Sequence, residues 1–410
     1  MPDRLAGGTR EIARAGAPHH IDYDPYSADV IRDPLPCYRR LRDEAPAYYL
    51  SKYDCWAISR FEDVWAISSD TRRLTVTRGV APAQIVTREQ IVTPMLQSTD
   101  PPEHSELRAS VRPRFLPRHL REIEPEVRRI VDSLLAPLLA RGGGDVVGEL
   151  GSRLSTRVAC LLLGLPPEDG DRLHQLVQRF FRHDPEQQGI SADGWAAMLE
   201  LNEYCLAKVR AERAAPRSGT QAISALCRAR VGGRTLREDE IASHVGEIVI
   251  GGSVTVPKVL ANGLLRLWEA PDQRERLARD PRGAGDAFDE IVRFDMPTQF
   301  LCRSVTREFE LHGQRLRPGQ GVLLLYPSAN RDEREFPQPD VFDIARRPPR
   351  ILSFGAGQHA CLGKHVAKLE VRLCLEAILS SAPRYAVDRA GAERLHTEFV
   401  QGYSRLPISF

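Results

Sequence analysis

Residues 354–363 of the 410-residue chain read Phe-Gly-Ala-Gly-Gln-His-Ala-Cys-Leu-Gly, and this stretch decides how the rest is interpreted. Its three glycines predict a tight loop whose backbone approaches another group closely. Helical periodicity follows over residues 362–380, so Cys361 lies at a helix N-terminus. Amide groups and the positive end of the helix dipole favour a thiolate there, and a thiolate is a strong metal ligand. An inert buried cysteine is the commoner use of a single Cys, but it leaves the glycines unexplained.

Composition excludes several classes of protein. Lys and Arg total 57 against 55 Asp and Glu, and this balance argues against a nucleic-acid partner. No run approaches the roughly 18 uncharged apolar residues that span a bilayer, so no membrane association is expected. Residues 1–20 lack the apolar core of a secretion signal, which predicts a cytoplasmic protein. The 8 cysteines are scattered without zinc-ligand spacing and are expected to be reduced.

The organisation of the chain is mainly helical. Apolar residues recur with helical spacing over residues 125–139 and 154–165. Short strand patterns fall in residues 47–59, with a turn near Lys52, and in residues 303–325. No repeat or long linker divides the chain. We therefore expect a flexible segment at residues 1–22 and one domain, mainly α with small β-sheets, at residues 23–410.

One predicted helix, over residues 237–268, is long enough to cross a domain at roughly 50 Å. Thr235 and Glu238 fit a capping box at its start.

The middle of this helix is unusual for its composition. Gly251, Gly252 and Pro257 all weaken a helix. One interpretation is a tolerated kink. The other is an opened groove in which a small ligand meets backbone carbonyls and the hydroxyls of Ser253 and Thr255.

The loop at 354–363 resembles the haem-binding loop of cytochromes P450, Phe-x-x-Gly-x-His/Arg-x-Cys-x-Gly, with matches at Phe354, Gly357, His359, Cys361 and Gly363. The resemblance implies the cytochrome P450 fold. In that fold haem b (iron protoporphyrin IX) lies between a long central I helix and the Cys-loop with its following L helix. It also implies that Cys361 is the axial ligand of the haem iron.

Two further motifs strengthen the resemblance. Glu290 and Arg293 match the family's Glu-x-x-Arg, which joins an arginine matched by Arg346. Residues 100–108 resemble the start of the family's C helix, with Asp100 as predicted N-cap. The family's haem-propionate positions are matched by His104, Arg108, Arg303 and His359.

The long helix resembles the I helix, whose motif is represented here by residues 251–256. The resemblance places Gly252 beside the haem and Thr255 where the family has its oxygen-binding threonine. Ser253 and Thr255 are the predicted catalytic residues. Val254 replaces the family's carboxylate, which is the main departure from the motif.

The resemblance implies a haem-thiolate monooxygenase of the soluble bacterial type. It would activate O2 with electrons from a ferredoxin and a ferredoxin reductase. It would then hydroxylate or otherwise oxidise a small, largely apolar organic molecule in bacterial secondary metabolism, acting as a monomer. Val254 leaves open oxidative coupling or desaturation, or a nitric-oxide-reductase-like haem enzyme. A non-catalytic haem sensor is a third class, which Thr255 disfavours.

Family position also suggests surfaces. Substrate contacts are expected from residues 74–95, 177–201 and 298–300, and the second region contains Phe180, Phe181 and Trp195. A basic docking face for the electron donor is expected from Arg112, Arg114, Arg118, Arg121, Lys364 and Lys368.

Overall fold

The structure is a computed structural model, and it describes residues 21–86, 88, 95–182, 191–217, 221–395 and 397–410. The flexible segment predicted for residues 1–22 therefore lies outside the described residues, except for Ile21 and Asp22.

Helices form most of the described chain. Their bounds are α1 Ala28–Arg32, α2 Leu35–Glu44, α3 Phe61–Ser68, α4 Pro82–Ile85, α5 Glu103–Val111, α6 Pro117–Arg141, α7 Arg153–Leu163, α8 Gly170–Phe180, α9 Ala192–Ala214, α10 Ala222–Arg228, α11 Glu238–Glu269, α12 Pro271–Arg279, α13 Ala284–Phe294, α14 Tyr326–Ala329 and α15 Lys364–Ser381. A π-helical segment, Val146–Ser152, leads into α7.

The strands are short and most lie toward the C-terminus. They are β1 Ala47–Leu50, β2 Cys55–Ile58, β3 Leu74–Thr75, β4 Gly143–Asp145, β5 Arg230–Val231, β6 Arg234–Thr235, β7 Phe300–Val305, β8 Phe309–Leu311, β9 Gln314–Leu316, β10 Gly321–Leu325, β11 Ala386–Val387, β12 Glu393–Arg394, β13 Tyr403–Arg405 and β14 Pro407–Ser409. The largest sheet has the order β1-β2-β10-β7-β3, in which only β2 and β10 run parallel. This sheet holds β7, the strand that carries Arg303.

The largest hydrophobic core surrounds α11, which packs against α7, α9 and α15. A second core lies beneath the five-stranded sheet, and a third joins α2 to its other side. This arrangement of helices around a central helix, with small sheets at one side, confirms the predicted fold class.

The helical and strand patterns are confirmed with small shifts. Residues 125–139 fall inside α6, and residues 362–380 correspond to α15, which begins two residues later at Lys364. The pattern at 47–59 forms the hairpin of β1 and β2.

Two predicted helix caps are wrong. The N-cap of α11 is Arg237, and its amide donates to the Glu240 carboxylate at 2.7 Å, so Thr235 and Glu238 do not form the box. Asp100 does not cap α5 with its side chain, which instead accepts the amide of Val76 at 3.1 Å. At α5 a distant residue takes the Asp100 carboxylate, whereas at α11 the box shifts two residues along the chain.

Helix α11 is unbroken through Gly251 and Pro257, so the predicted opening does not take the form of a break. Pro257 packs against Gly151, where an added Cβ would lie 3.0 Å from the proline Cα. By length and apolarity α11 alone among the described helices passes for a membrane span, but 61% of its apolar window is buried inside the protein. That burial is typical of a core helix.

Candidate functional site

The loop before α15 is built around glycines whose backbone other residues adopt poorly. Gly355 and Gly357 have φ of 63° and 71°. A Cβ on Gly357 would also lie 2.7 Å from Ser69 Oγ, so this position has neither the conformation nor the space for a side chain. The amide of Cys361 donates to the Phe354 carbonyl at 2.8 Å, which closes the loop on itself.

Cys361 is held at the turn into α15, with part of its surface open to solvent and its thiol otherwise enclosed by protein. Burial raises the pKa of the Cys361 thiol, while the amides of Gly363 and Lys364 and the charge of Arg108 act to lower that pKa. The amides and the arginine thus favour the predicted thiolate against the effect of burial. Gly363 has φ −85°, so its backbone does not itself require glycine.

Two histidines from distant parts of the chain are in contact, and one of them belongs to this loop. The rings of His104, from α5, and His359 lie 4.1 Å apart between centroids at 33°. Both ring nitrogens of His104 and Nε2 of His359 are buried without a hydrogen-bond partner among the described residues. Burial, with the charges of neighbouring His104, Arg303 and Arg108, lowers the pKa of His359 to about 3. Buried polar nitrogens without partners indicate a missing ligand.

Two arginines complete the group. Arg108 donates to the Ala360 carbonyl at 2.6 Å, and Arg303, only 5% exposed, donates to the Cys302 carbonyl at 2.8 Å. Within the described part of the chain neither guanidinium has a carboxylate partner. His104 and Arg303 are buried, and Arg108 and His359 are half-buried. Such a group of two arginines and two histidines with no anion fits a ligand that brings its own carboxylates. All four residues were predicted from the sequence.

The predicted Glu290–Arg293 pair is confirmed as a buried structural unit. Arg293 donates to both carboxylate oxygens of Glu290, at 2.7 and 2.8 Å, and both side chains are fully buried. Arg346 joins them at 3.2 Å. Arg293 also donates to the carbonyls of Asn330 and Pro339, which ties α13 to the segment before the Cys-loop.

On α11 the predicted residues differ in their surroundings. An added Cβ on Gly251 meets nothing within 4 Å, whereas one on Gly252 faces Ala159 of α7 at 3.8 Å. Gly251 therefore presents open surface, whereas a Cβ on the predicted Gly252 would lie at ordinary contact distance from α7. Ser253 is 4% exposed, and its hydroxyl donates to the Val249 carbonyl inside the helix. Thr255 is half-buried.

Sequence reasoning missed one acidic residue near this surface. Glu247 lies one helical turn before Gly251, and its carboxylate accepts the amides of Leu96 and Gln97. Its spacing from Gly251 was the available sequence signal, because residues four apart share a helix face.

The structure describes the predicted substrate-contact and docking surfaces only in part. Phe181 and Trp195 are 39% and 49% exposed, and parts of two predicted substrate regions lie outside the described residues. Lys368 binds Asp289 at 2.7 Å, and Arg114 is half-buried, so both are less available for docking. The remaining basic side chains of that face are exposed: Arg112, Arg118, Arg121 and Lys364.

The chain is 34% identical to the Putative cytochrome P450 123 of Mycobacterium tuberculosis over 399 residues, which is 97% of this chain and 98% of the relative. The family model described as Cytochrome P450 matches residues 286–382. The chain belongs to the cytochrome P450 family.

Other P450s agree in sequence and in fold. The chain is 32% identical to the Vitamin D(3) 25-hydroxylase of Pseudonocardia autotrophica, covering 94% of this chain and 96% of the relative. The crystal structure of CalO2 superposes with a TM-score of 0.83 at 32% identity, covering 95% of this chain and 99% of that one. The protein is therefore an oxidoreductase of the P450 monooxygenase family, whose cofactor is haem iron.

Proposed function

We propose that this P450 binds haem b through Cys361 and inserts oxygen from O2 into a small, largely apolar organic molecule. The observation that carries the proposal is the group formed by His104, Arg108, Arg303 and His359, which is buried or half-buried and has no acidic partner among the described residues. Two propionates would supply the missing anions, and Cys361 lies beside this group for the iron. When bound, the haem supplies the activation of O2.

Thr255 is the residue proposed to handle protons. It is half-buried on α11, one turn after Gly251, where an added side chain would meet no other atom within 4 Å. A hydroxyl there can hold water and pass a proton through its Oγ1. Val254 carries no proton, so water must complete the route from solvent. The Ser253 hydroxyl is already bound to the Val249 carbonyl, which leaves Thr255 as the better candidate of the two predicted catalytic residues.

Electrons are proposed to come from a ferredoxin and its reductase, as the resemblance to the soluble bacterial P450s implies. Exposed Arg112 and Lys364 lie on the elements next to Cys361 and are suited to an acidic donor. We place the enzyme in the cytoplasm, as a monomer, in bacterial secondary metabolism. The Vitamin D(3) 25-hydroxylase among its relatives supports a hydrophobic substrate and hydroxylation as the reaction.

Absorption spectroscopy tests the proposal directly. The reduced carbon monoxide complex of the wild type should show the red-shifted Soret band of a thiolate-ligated haem, and Cys361→Ala should lose it. Cys227→Ala is the matched control, because Cys227 is another partly exposed cysteine and should leave the band unchanged. A wild-type protein that takes up hemin without showing this band would refute the proposal.

Val254 favours a second candidate, oxidation without net oxygen insertion, such as coupling or desaturation. Isotopically labelled O2 distinguishes the two reactions, because a product that carries no label contradicts hydroxylation. Rapid NADH oxidation with nitric oxide and without ferredoxin would instead indicate a nitric-oxide-reductase-like enzyme.

A further inference from the structure

The carboxylate of Glu247 connects two parts of the chain that lie 150 residues apart. Its two oxygens accept the amides of Leu96 and Gln97 at 2.9 and 3.1 Å. The side chain is 17% exposed, and the buried His244 lies beside it at 3.8 Å. These are charge-assisted hydrogen bonds, which are stronger than neutral ones.

Each of the two connected parts leads to a residue of the candidate site. Glu247 precedes Gly251, which faces open space, by one turn of α11. Leu96 and Gln97 begin the short 3-10 turn Leu96–Ser98, which leads into α5 and so to His104. The bonds therefore hold the entry to α5 against the open part of α11.

Other described hydrogen bonds of residues 95–99 stay within that segment. The Met95 amide donates to Ser98 Oγ at 3.0 Å, and Thr99 Oγ1 donates to the Met95 carbonyl at 2.8 Å. The next long-range bond comes at Asp100, whose carboxylate accepts the Val76 amide. Glu247 is thus the polar attachment of this segment to α11 among the described residues. Half-buried Leu96 packs with the main core from the same segment.

We propose that Glu247 is a positioning residue for the monooxygenase reaction. By holding Leu96 and Gln97 it fixes how closely the segment before α5 approaches α11, and so the shape of the space above Gly251 in which a substrate binds. It acts through these amides and not by contact with the reacting atoms. This inference rests on the proposed haem site, but the bonds themselves can be measured separately.

The first test is amide hydrogen exchange by mass spectrometry with fragmentation. In Glu247→Ala the amides of Leu96 and Gln97 should exchange at least about tenfold faster than in the wild type, because a charge-assisted bond is lost. Glu247→Gln should be intermediate, since its oxygen accepts one amide while its NH2 group opposes the other. Glu203→Ala, at an exposed position on α9, is the matched control and should not change the exchange.

The second test is spectral titration of the haem protein with 4-phenylimidazole and with imidazole. Glu247→Ala should weaken the binding of 4-phenylimidazole about tenfold and that of imidazole less than about twofold, because the larger probe depends on the shape of the site. Haem content and the carbon monoxide band should be unchanged. If Glu247→Ala loses haem, the affinities for the two probes are compared in Glu247→Gln instead.

Two outcomes would overturn the inference: unchanged exchange at Leu96 and Gln97, whatever the affinity for the probes, or faster exchange with unchanged affinity for both probes. A wild type that binds no haem would instead refute the proposed function, and the exchange measurement would still report on the bonds.

Discussion

Ser155 of α7 donates its hydroxyl to the carboxyl group of Glu370 on α15 at 2.6 Å, and both side chains are buried. Burial raises the pKa of Glu370 to about 8, although the bond from Ser155 lowers it somewhat. At neutral pH this acid is therefore mostly protonated in the folded protein. Ser155 lies one turn before Ala159, which faces Gly252, so the pair sits beneath the central helix.

The pH dependence of stability should report on Glu370. In the unfolded chain this group loses its proton near pH 4.5, whereas the folded protein keeps it to about pH 8. The folded state thus binds more protons in this window, and its stability must fall as pH rises. Glu370→Gln carries no charge and avoids this loss. Its free energy of unfolding relative to the wild type should rise by about 1.4 kcal/mol per pH unit between about pH 5 and pH 8.

Urea unfolding at several pH values measures this difference. Glu203→Gln, at an exposed site, should show no such slope. A constant difference between Glu370→Gln and the wild type across this range would contradict a buried, protonated Glu370.

The buried Glu290–Arg293 pair should be costly to break. Both side chains have no exposed surface, so removing one partner leaves an uncompensated charge in the core. We expect Arg293→Ala to destabilise the protein by about 3–5 kcal/mol in urea unfolding. Arg276→Ala is the control, because Arg276 is 55% exposed and its ion pair should contribute little. Equal losses for the two variants would disprove the structural role of the pair.

Haem retention should depend on the arginines of the site. Arg303→Ala removes a buried donor, so hemin transfer to apomyoglobin should be at least about tenfold faster than from the wild type. Arg118→Ala, at an exposed position, should not change the rate. Haem loss at the wild-type rate from Arg303→Ala would mean that the propionates lie elsewhere.

Thr255 and Ser253 should differ in their effect on product formation. Thr255→Ala should lower product formed per NADH consumed by about tenfold or more, with hydrogen peroxide rising in compensation. Ser253→Ala should change this ratio less than about twofold, because its hydroxyl is occupied by the Val249 carbonyl. Product and peroxide assays measure both. A larger loss in Ser253→Ala would reverse the assignment.

Electron transfer should depend on Lys364 more than on Lys368. Lys364 is exposed, whereas Lys368 already binds Asp289 at 2.7 Å. At low salt Lys364→Glu should slow reduction of the enzyme by ferredoxin about tenfold. The difference in rate between this variant and the wild type should shrink above about 0.15 M salt, because salt then screens charges more than about 8 Å apart. Lys368→Glu should have a smaller effect in stopped-flow reduction. A wild-type reduction rate that does not change with salt would contradict the predicted docking face.

Much of the site could be predicted from local sequence. The glycines around Cys361 and the i, i+3 spacing of Glu290 and Arg293 are consequences of backbone geometry over a few residues. The predicted cap failed at Asp100 because its carboxylate binds the amide of Val76, which only the folded chain brings near. The box predicted at Thr235 and Glu238 failed because the same pattern occurs two residues later, at Arg237 and Glu240, where α11 begins.

The sequence alone determined the loop that presents Cys361, the long central helix and the residues that match the family's haem contacts. Only the tertiary structure decided that Gly251 faces open space and that Glu247 holds Leu96. The physical reason is the distance along the chain over which each interaction acts. Backbone conformation and periodicity are set by residues within one or two turns, whereas contacts across 150 residues depend on how whole helices pack.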